Sequence, residues 1–292
     1  MKSTGRMNWM VLALAGALAL AAGCGRKAGT PAQDGGKGTI KLAYVNWAEG
    51  VAVTHLLTAL LEDMGYRVET TMADVAPIYA SVAEGNQDVM VETWLPVTHK
   101  TYFDRYGDRV ELISTWYESA RIGLVVPAYV EINSIEELNE AKNKFQRRIT
   151  GIDAGAGIMG ATDRAIGEYG LELELLASSG PAMTAALKGA IDKKEWIVVT
   201  GWAPHWKFAR YDLKFLDDPK GVYGDIEVVQ AAARKGFKEA YPEAAALLGK
   251  MKFDSVQIGS LMDALESGEG SEADRVRTWI EAHSDLVQSW MP

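Results

Sequence analysis

Three tryptophans close strand-like apolar runs at matching places in the chain: Trp47 in "YVNWAEG", Trp94 in "VMVETWLPVTH" and Trp202 in "IVVTGWAPHW". The second and third are followed two residues on by a proline, Pro96 and Pro204. An indole presents an electron-rich face, and several such faces converging on one point suit a cation whose charge is spread over methyl groups and that has no N–H to give a carboxylate. Each face contributes about 0.5–2 kcal/mol once water is excluded. Three, with an anion contact added, make a receptor of roughly micromolar strength. A single tryptophan at a strand end is more often a core aromatic. Three at equivalent topological positions favour a shared site, whereas Trp196, Trp279 and Trp290 read as core, and Trp116 and Trp206 stay open between the two.

A second stretch, "GIDAGAGIMG", matches G-x-G-x-x-G by letter through Gly155, Gly157 and Gly160. A dinucleotide-binding loop of this kind stands in the first βα unit with an acidic residue about 20 residues on. Here it opens a later unit, and Glu172 and Glu174 fit that spacing only loosely. What remains is physical: a glycine-rich turn at a helix start exposes backbone N–H groups that hold an anion, a small carboxylate included. The four histidines (55, 99, 205 and 283) lack metal-site spacing, and neither a Gly-x-Ser-x-Gly elbow nor a phosphate-binding Gly-Lys-Ser loop occurs. No catalytic residue, metal or cofactor is therefore expected. Glu49 and Glu92 flank two of the tryptophans, but carboxylates at strand ends are usually solvated, so both are left outside the contact set. Nothing independent supports His205.

These residues need strands and helices to hold them. From Thr39 the chain alternates: "TIKLAYVNW" reads as strand, "VAVTHLLTALLEDMG" as an amphipathic helix closed by Gly65, "YRVETTMAD" as strand, "PIYASVAEGN" as helix and "QDVMVETWL" as strand. The order repeats later, with "RRITGIDAG", "GIMGATDRAIGEYG", "LELELLASS", "PAMTAALKGAIDKK" and "EWIVVTGWAP". Two similar α/β lobes follow, each with a parallel sheet. Two extended runs, "RIGLVVPAYV" and "YGDIEVVQAAARKGF", link them, and Ser134 with Glu137 spells a capping box between. Residues 238–292 carry helical periodicity. Strand ends from both lobes then face one cleft, the default ligand site of such a fold.

Charge and the N-terminus narrow the class. Lys plus Arg number 30 against 39 Asp plus Glu, a net charge of −9, and no basic run is present to meet nucleic acid. "MKSTGRMNWMVLALAGALALAAGC" has a basic start, a short apolar stretch and small residues before the chain's single cysteine, as in an export signal. "LAAGC" resembles the lipobox of bacterial lipoproteins, with Leu20 four residues ahead of Cys24. Lipidation of Cys24 would tether the protein to a membrane surface; the alternative is an ordinary secretory signal. "GRKAGTPAQDGGKG" reads as a flexible tether.

Taken together, "YVNWAEGVAVTHL", "VMVETWLPVTH", "GIDAGAGIM" and "VVTGWAPHW" closely resemble, in order and spacing, the substrate-binding components of glycine betaine/proline betaine ABC transporters, the OpuAC-like solute-binding proteins. The resemblance covers about residues 39–292. It implies an α/β, two-lobed periplasmic-binding-protein fold of type II, each lobe a mostly parallel sheet flanked by helices. The segments would be a signal peptide (1–24), a tether (25–38), lobe one (39–122 plus 234–292) and lobe two (123–233). The resemblance further implies a trimethylammonium cage of Trp47, Trp94 and Trp202, with the carboxylate held by the Gly157 and Ile158 amides and by His99. The expected protein is an extracytoplasmic, lipid-anchored monomer, not an enzyme, that passes glycine betaine or a related osmoprotectant to ABC transporter permease subunits. A choline or carnitine binder is the alternative, and an enzyme using the 155–160 turn a more distant one.

Overall fold

The computed structural model describes residues 36–292; the signal segment with Cys24, and the tether as far as residue 35, lie outside the described residues. Nine strands form one curled sheet: β1 (Thr39–Tyr44), β2 (Arg67–Met72), β3 (Val89–Leu95), β4 (Val110–Pro127), β5 (Arg148–Thr150), β6 (Glu174–Leu176), β7 (Val199–Ala203), β8 (Leu213–Phe215) and β9 (Glu227–Arg234). Helices α1 (Ala48–Asp63), α2 (Val75–Ala83) and α3 (Lys100–Tyr106) follow the first three strands. Then come α4 (Leu138–Ala141), α5 (Gly157–Tyr169), α6 (Gly180–Lys193) and α7 (Lys207–Arg210). Five more, α8 (Phe237–Ala240), α9 (Pro242–Lys250), α10 (Ser255–Ser267), α11 (Glu272–Ala282) and α12 (Ser284–Trp290), end the chain.

The strand order is β2-β1-β3-β9-β4-β7-β5-β6, with β8 on β4. Pairing is parallel toward both edges, where each strand returns through a helix, and antiparallel across the centre. The expected mostly parallel sheets are thus mixed: the two extended links are themselves strands, β4 and β9, and enter the sheet running against their neighbours. β4 is longer than the run read from the sequence and changes partner along its length. Val110–Ala120 lies on β9, whereas Arg121–Val125 lies on β7. That change of partner divides the sheet into a first half built on β1–β3 and a second built on β5–β7.

Local chemistry explains the element ends. α1 begins at Ala48, three residues before the sequence reading, because Trp47 takes the N-cap in extended backbone and Glu49 falls in the first turn. Gly65, at φ +90, turns the chain out of that helix, and Gly170, at φ +59, closes α5 in the left-handed region that glycine tolerates. The Ser134–Glu137 capping box forms as read. The Leu95–Pro96 and Ala203–Pro204 peptides are both cis.

The C-terminal helices seal the first half. Trp116 on β4 is fully buried, gives its indole N–H to the Val91 carbonyl at 2.6 Å, and meets Phe253 edge-on at 5.9 Å between centroids. Phe253 in turn packs on Trp290 and Trp279, both buried as expected. Trp196 is only half-buried, against Phe145 and under Lys144. Removing the Trp116 indole leaves a large cavity and an unpartnered carbonyl, so Trp116→Ala should destabilise the fold by about 3–5 kcal/mol in urea unfolding. A loss near zero would show that the C-terminal helices do not depend on this contact.

Candidate functional site

Trp47, Trp94 and Trp202 come from three separated segments, yet all three are nearly dry, at 5%, 2% and 4% exposure, and line one cavity between the two halves of the sheet. His99, Gly157 and Ile158 line it too, so all six expected residues are brought together. Ile122 and Ile152 complete an apolar wall. Among the described residues there is no cluster of three His, Cys, Asp or Glu side chains that could hold a metal ion.

The loop after β3 is held at both ends of its turn. The Trp94 N–H donates to His99 Nδ1 at 3.2 Å, and the His99 N–H returns to the Trp94 carbonyl at 2.9 Å. Accepting at Nδ1 puts the imidazole proton on Nε2, which is buried and has no partner among the described residues. Burial pushes the His99 pKa down to about 3, so the ring is a neutral N–H donor at the cavity wall. Glu227, at the start of β9, clamps the same loop. It takes the Val97 and Thr98 amides at 2.7 and 2.8 Å and also the Thr98 hydroxyl. Sequence reasoning missed Glu227, since nothing local links it to residue 98.

On the other side, α5 starts at Gly157 with Ala156 as its N-cap and no side-chain cap. Its first amides therefore have no intrahelical acceptor and stand ready for an anion. A side chain at 157 is sterically impossible here, because a Cβ would fall 1.9 Å from the Thr98 carbonyl oxygen. Glycine is what lets the two halves touch at this point.

Further hydrogen bonds cross between the halves. The Trp47 indole donates to Asp153 at 3.2 Å, the Tyr102 hydroxyl to the Gly155 carbonyl at 2.6 Å, and the Trp202 indole to Glu49 at 2.8 Å. The last corrects an expectation. Glu49 and Glu92 are not solvated but buried, at 1% and 4% exposure, and Glu49 lines the cavity. Glu49 is covered by Trp202 of the other half and Glu92 packs against the turn that carries Glu49, neither of which the sequence reveals. Burial raises Glu49 to about 7 and Glu92 well above the usual carboxylate range.

Behind Trp202, Lys207 is also fully buried, with Nζ 4.1 Å from the ring centroid and 3.4 Å from the Trp202 carbonyl oxygen; burial pushes its amine well below the ordinary value. His205, buried against Trp202, accepts the Lys207 N–H and does not line the small cavity.

Comparison with known proteins places this geometry. Residues 38–282 match the family described as the substrate-binding domain of ABC-type glycine betaine transport systems. The chain is 45% identical over 145 residues to the glycine betaine/carnitine transport binding protein GbuC of Listeria monocytogenes, which is 49% of this chain and 48% of that protein. The chain thus spans about half the length of that curated relative. Lactococcal OpuAC, solved closed with glycine betaine, is similar at 39% identity and a TM-score of 0.82 over 87% of this chain and 99% of that one. ProX of Borrelia burgdorferi is similar at 36% identity and a TM-score of 0.83, over 87% of this chain and 97% of that one. The fold is that of type II periplasmic binding proteins.

The neutral, buried His99 has a consequence for stability. A folded-state pKa near 3 against an ordinary 6.5 means that its contribution is present above pH 6.5 and lost as pH falls toward 3. Thermal unfolding followed by circular dichroism should show the wild-type melting temperature falling faster than that of His99→Asn across this window. Parallel profiles would mean that His99 is not held neutral.

Proposed function

The chain belongs to the family of substrate-binding domains of ABC-type glycine betaine transport systems, and on that premise we propose that it captures glycine betaine, or a close quaternary ammonium relative, and delivers it to ABC transporter permease subunits. The observation that carries this reading is the meeting of three dry indoles with a neutral imidazole N–H donor and the free amides of a helix start around one cavity. A trimethylammonium group cannot donate a hydrogen bond and is held by ring faces. Its carboxylate needs donors and finds them at His99 Nε2 and at the Gly157 and Ile158 amides. Neither end requires a reacting group, so no bond is made or broken: this is a carrier, not an enzyme.

Two lobes are part of the proposal. Lobe one carries Trp47, Trp94 and His99, and lobe two carries Trp202 and the α5 amides. The expected outward crossing at 122/123 falls two residues beyond the change of partner, and the expected return at 233/234 is moved. We set the return crossing ahead of Glu227, because β9 pairs along its length with β3 and β4 of the first half. Ligand that touches both lobes stabilises the closed form over the open one, and closure is what a permease reads. The protein works as a monomer outside the cytoplasm, tethered through a lipid on Cys24. Among the described residues no helix is long and apolar enough to cross a membrane.

Titration by tryptophan fluorescence tests the ligand. Trp47→Ala, Trp94→Ala and Trp202→Ala should each weaken glycine betaine binding about tenfold or more, the worth of one desolvated ring face. An unchanged affinity removes that residue from the cage. Choline, which lacks the carboxylate, should bind more weakly than glycine betaine; equal binding would strike out the amides and His99 as ligand contacts. Gly157→Ala, which forces a methyl into the Thr98 carbonyl, should abolish tight binding while leaving far-UV circular dichroism intact.

A further inference from the structure

Glu49 and Glu92 are not accounted for by rings, amides and an imidazole. They come from the first turn of α1 and from β3. Glu49 Oε2 accepts the Trp202 indole N–H from across the cleft, and Glu92 Oε2 accepts the Val45 amide at 3.3 Å. A Cβ at Gly50 would lie 2.0 Å from the Glu92 carboxyl carbon, so that carboxyl rests against the turn that carries Glu49. The other oxygen of each, Glu49 Oε1 and Glu92 Oε1, is buried with no donor among the described residues. Two dry carboxylates side by side cannot both stay ionised. A proton that stays on Glu92 and is hydrogen-bonded to Glu49 gives both orphan oxygens a partner and leaves one negative charge on Glu49, the group that receives the Trp202 N–H.

We propose that Glu49 and Glu92 share a single proton and that Glu49, ionised, is a positioning and specificity residue. It fixes the Trp202 ring across the cleft and sets a negative charge in the cavity wall, so that the site selects a cationic head group over a neutral one of the same shape. This rests on the reading of the cavity as a quaternary ammonium site.

The surroundings agree. Burial raises both carboxyls, which fits a proton held within the pair. From the segment after β7, Lys207 faces Glu49 and favours its ionised form, while the buried His205 is held well below its ordinary value and stays neutral. From the loop after β3, His99 is neutral as well. Asp153, on the Trp47 indole, is the other carboxylate at this junction. A unit charge a few ångströms from a cation, at an effective dielectric of ~20, changes affinity by about tenfold or more.

The probes are glycine betaine and 3,3-dimethylbutanoate, in which a neutral tert-butyl group replaces the trimethylammonium. The readout is the ratio of their dissociation constants by calorimetry. Glu49→Gln keeps an amide oxygen for the Trp202 N–H but loses the charge, and should lower the preference for betaine about tenfold. Glu92→Gln imitates the protonated acid and should leave the preference within about twofold of wild type. A merely structural role for Glu49 would weaken both probes alike. An unchanged ratio in Glu49→Gln, or an equal fall in both variants, overturns the inference.

Wild type offers an arm that needs no variant. From about pH 8.5 to 5.5 both probes remain carboxylates. The preference should fall as pH drops through about 7, where Glu49 takes up its proton. Lys207→Met, which removes an amine whose charged form favours ionised Glu49, should move that fall to higher pH. A flat wild-type profile, or one that Lys207→Met flattens, overturns the assignment. Wild type that binds no glycine betaine would overturn the quaternary ammonium reading and this inference with it; betaine bound without the predicted change in preference overturns this inference alone.

Discussion

Exclusion of water where the two halves of the sheet meet is the condition on which the rest of the site depends. The indoles of Trp47, Trp94 and Trp202 are at most 5% exposed, and His99 is fully buried. In water a ring face attracts a cation only weakly, and a hydrogen bond to a ligand replaces one to solvent at little gain. In a dry pocket both become strong, because the alternative partner is gone. The same dryness sets the charge states. It holds His99 neutral near a pKa of 3 and lifts Glu49 to about 7. Binding strength and protonation are two results of one cause.

Dryness of this kind requires that backbone approach backbone, and the structure achieves it with a few polar anchors. Glu227 gathers the amides of the loop after β3 and so presents the Thr98 carbonyl toward the second half. Gly157 meets that carbonyl with no side chain in the way. Tyr102, Trp47 and Trp202 each send a donor across the junction. None of these contacts is large, but the Trp202–Glu49 bond and the Glu227 clamp satisfy polar groups that would otherwise be buried alone, which is the condition for closing water out.

The long strand β4 gives the junction its geometry. Its pairing passes from β9 to β7 between Ala120 and Arg121, and Ile122, directly beyond, lines the cavity. A strand shared by both halves keeps them in register while the loops at their strand ends turn toward one another. This arrangement explains why the site lies beside the change of partner, and why the antiparallel centre, rather than the parallel edges, carries the structure's central join.

The tryptophans and the glycine-rich helix start were legible from the residues because their chemistry is local, whereas His99 came only with the family resemblance. An indole face, a glycine without Cβ and a free helix-start amide keep their character wherever the chain places them. The same is true of α5, whose observed span begins at the expected residue and ends one short of it, at the left-handed Gly170, and of the Ser134–Glu137 cap. The burial of Glu49, Glu92 and Lys207, the clamp from Glu227 and the antiparallel centre were decided only in three dimensions. A carboxylate's solvation depends on what covers it, and here the cover comes from more than a hundred residues away: Trp202 lies over Glu49 at a separation of 153 positions. The chain alone determined which groups could hold a methylated cation. The fold determined which charges would be left without water beside it, because desolvation is a property of enclosure and not of sequence.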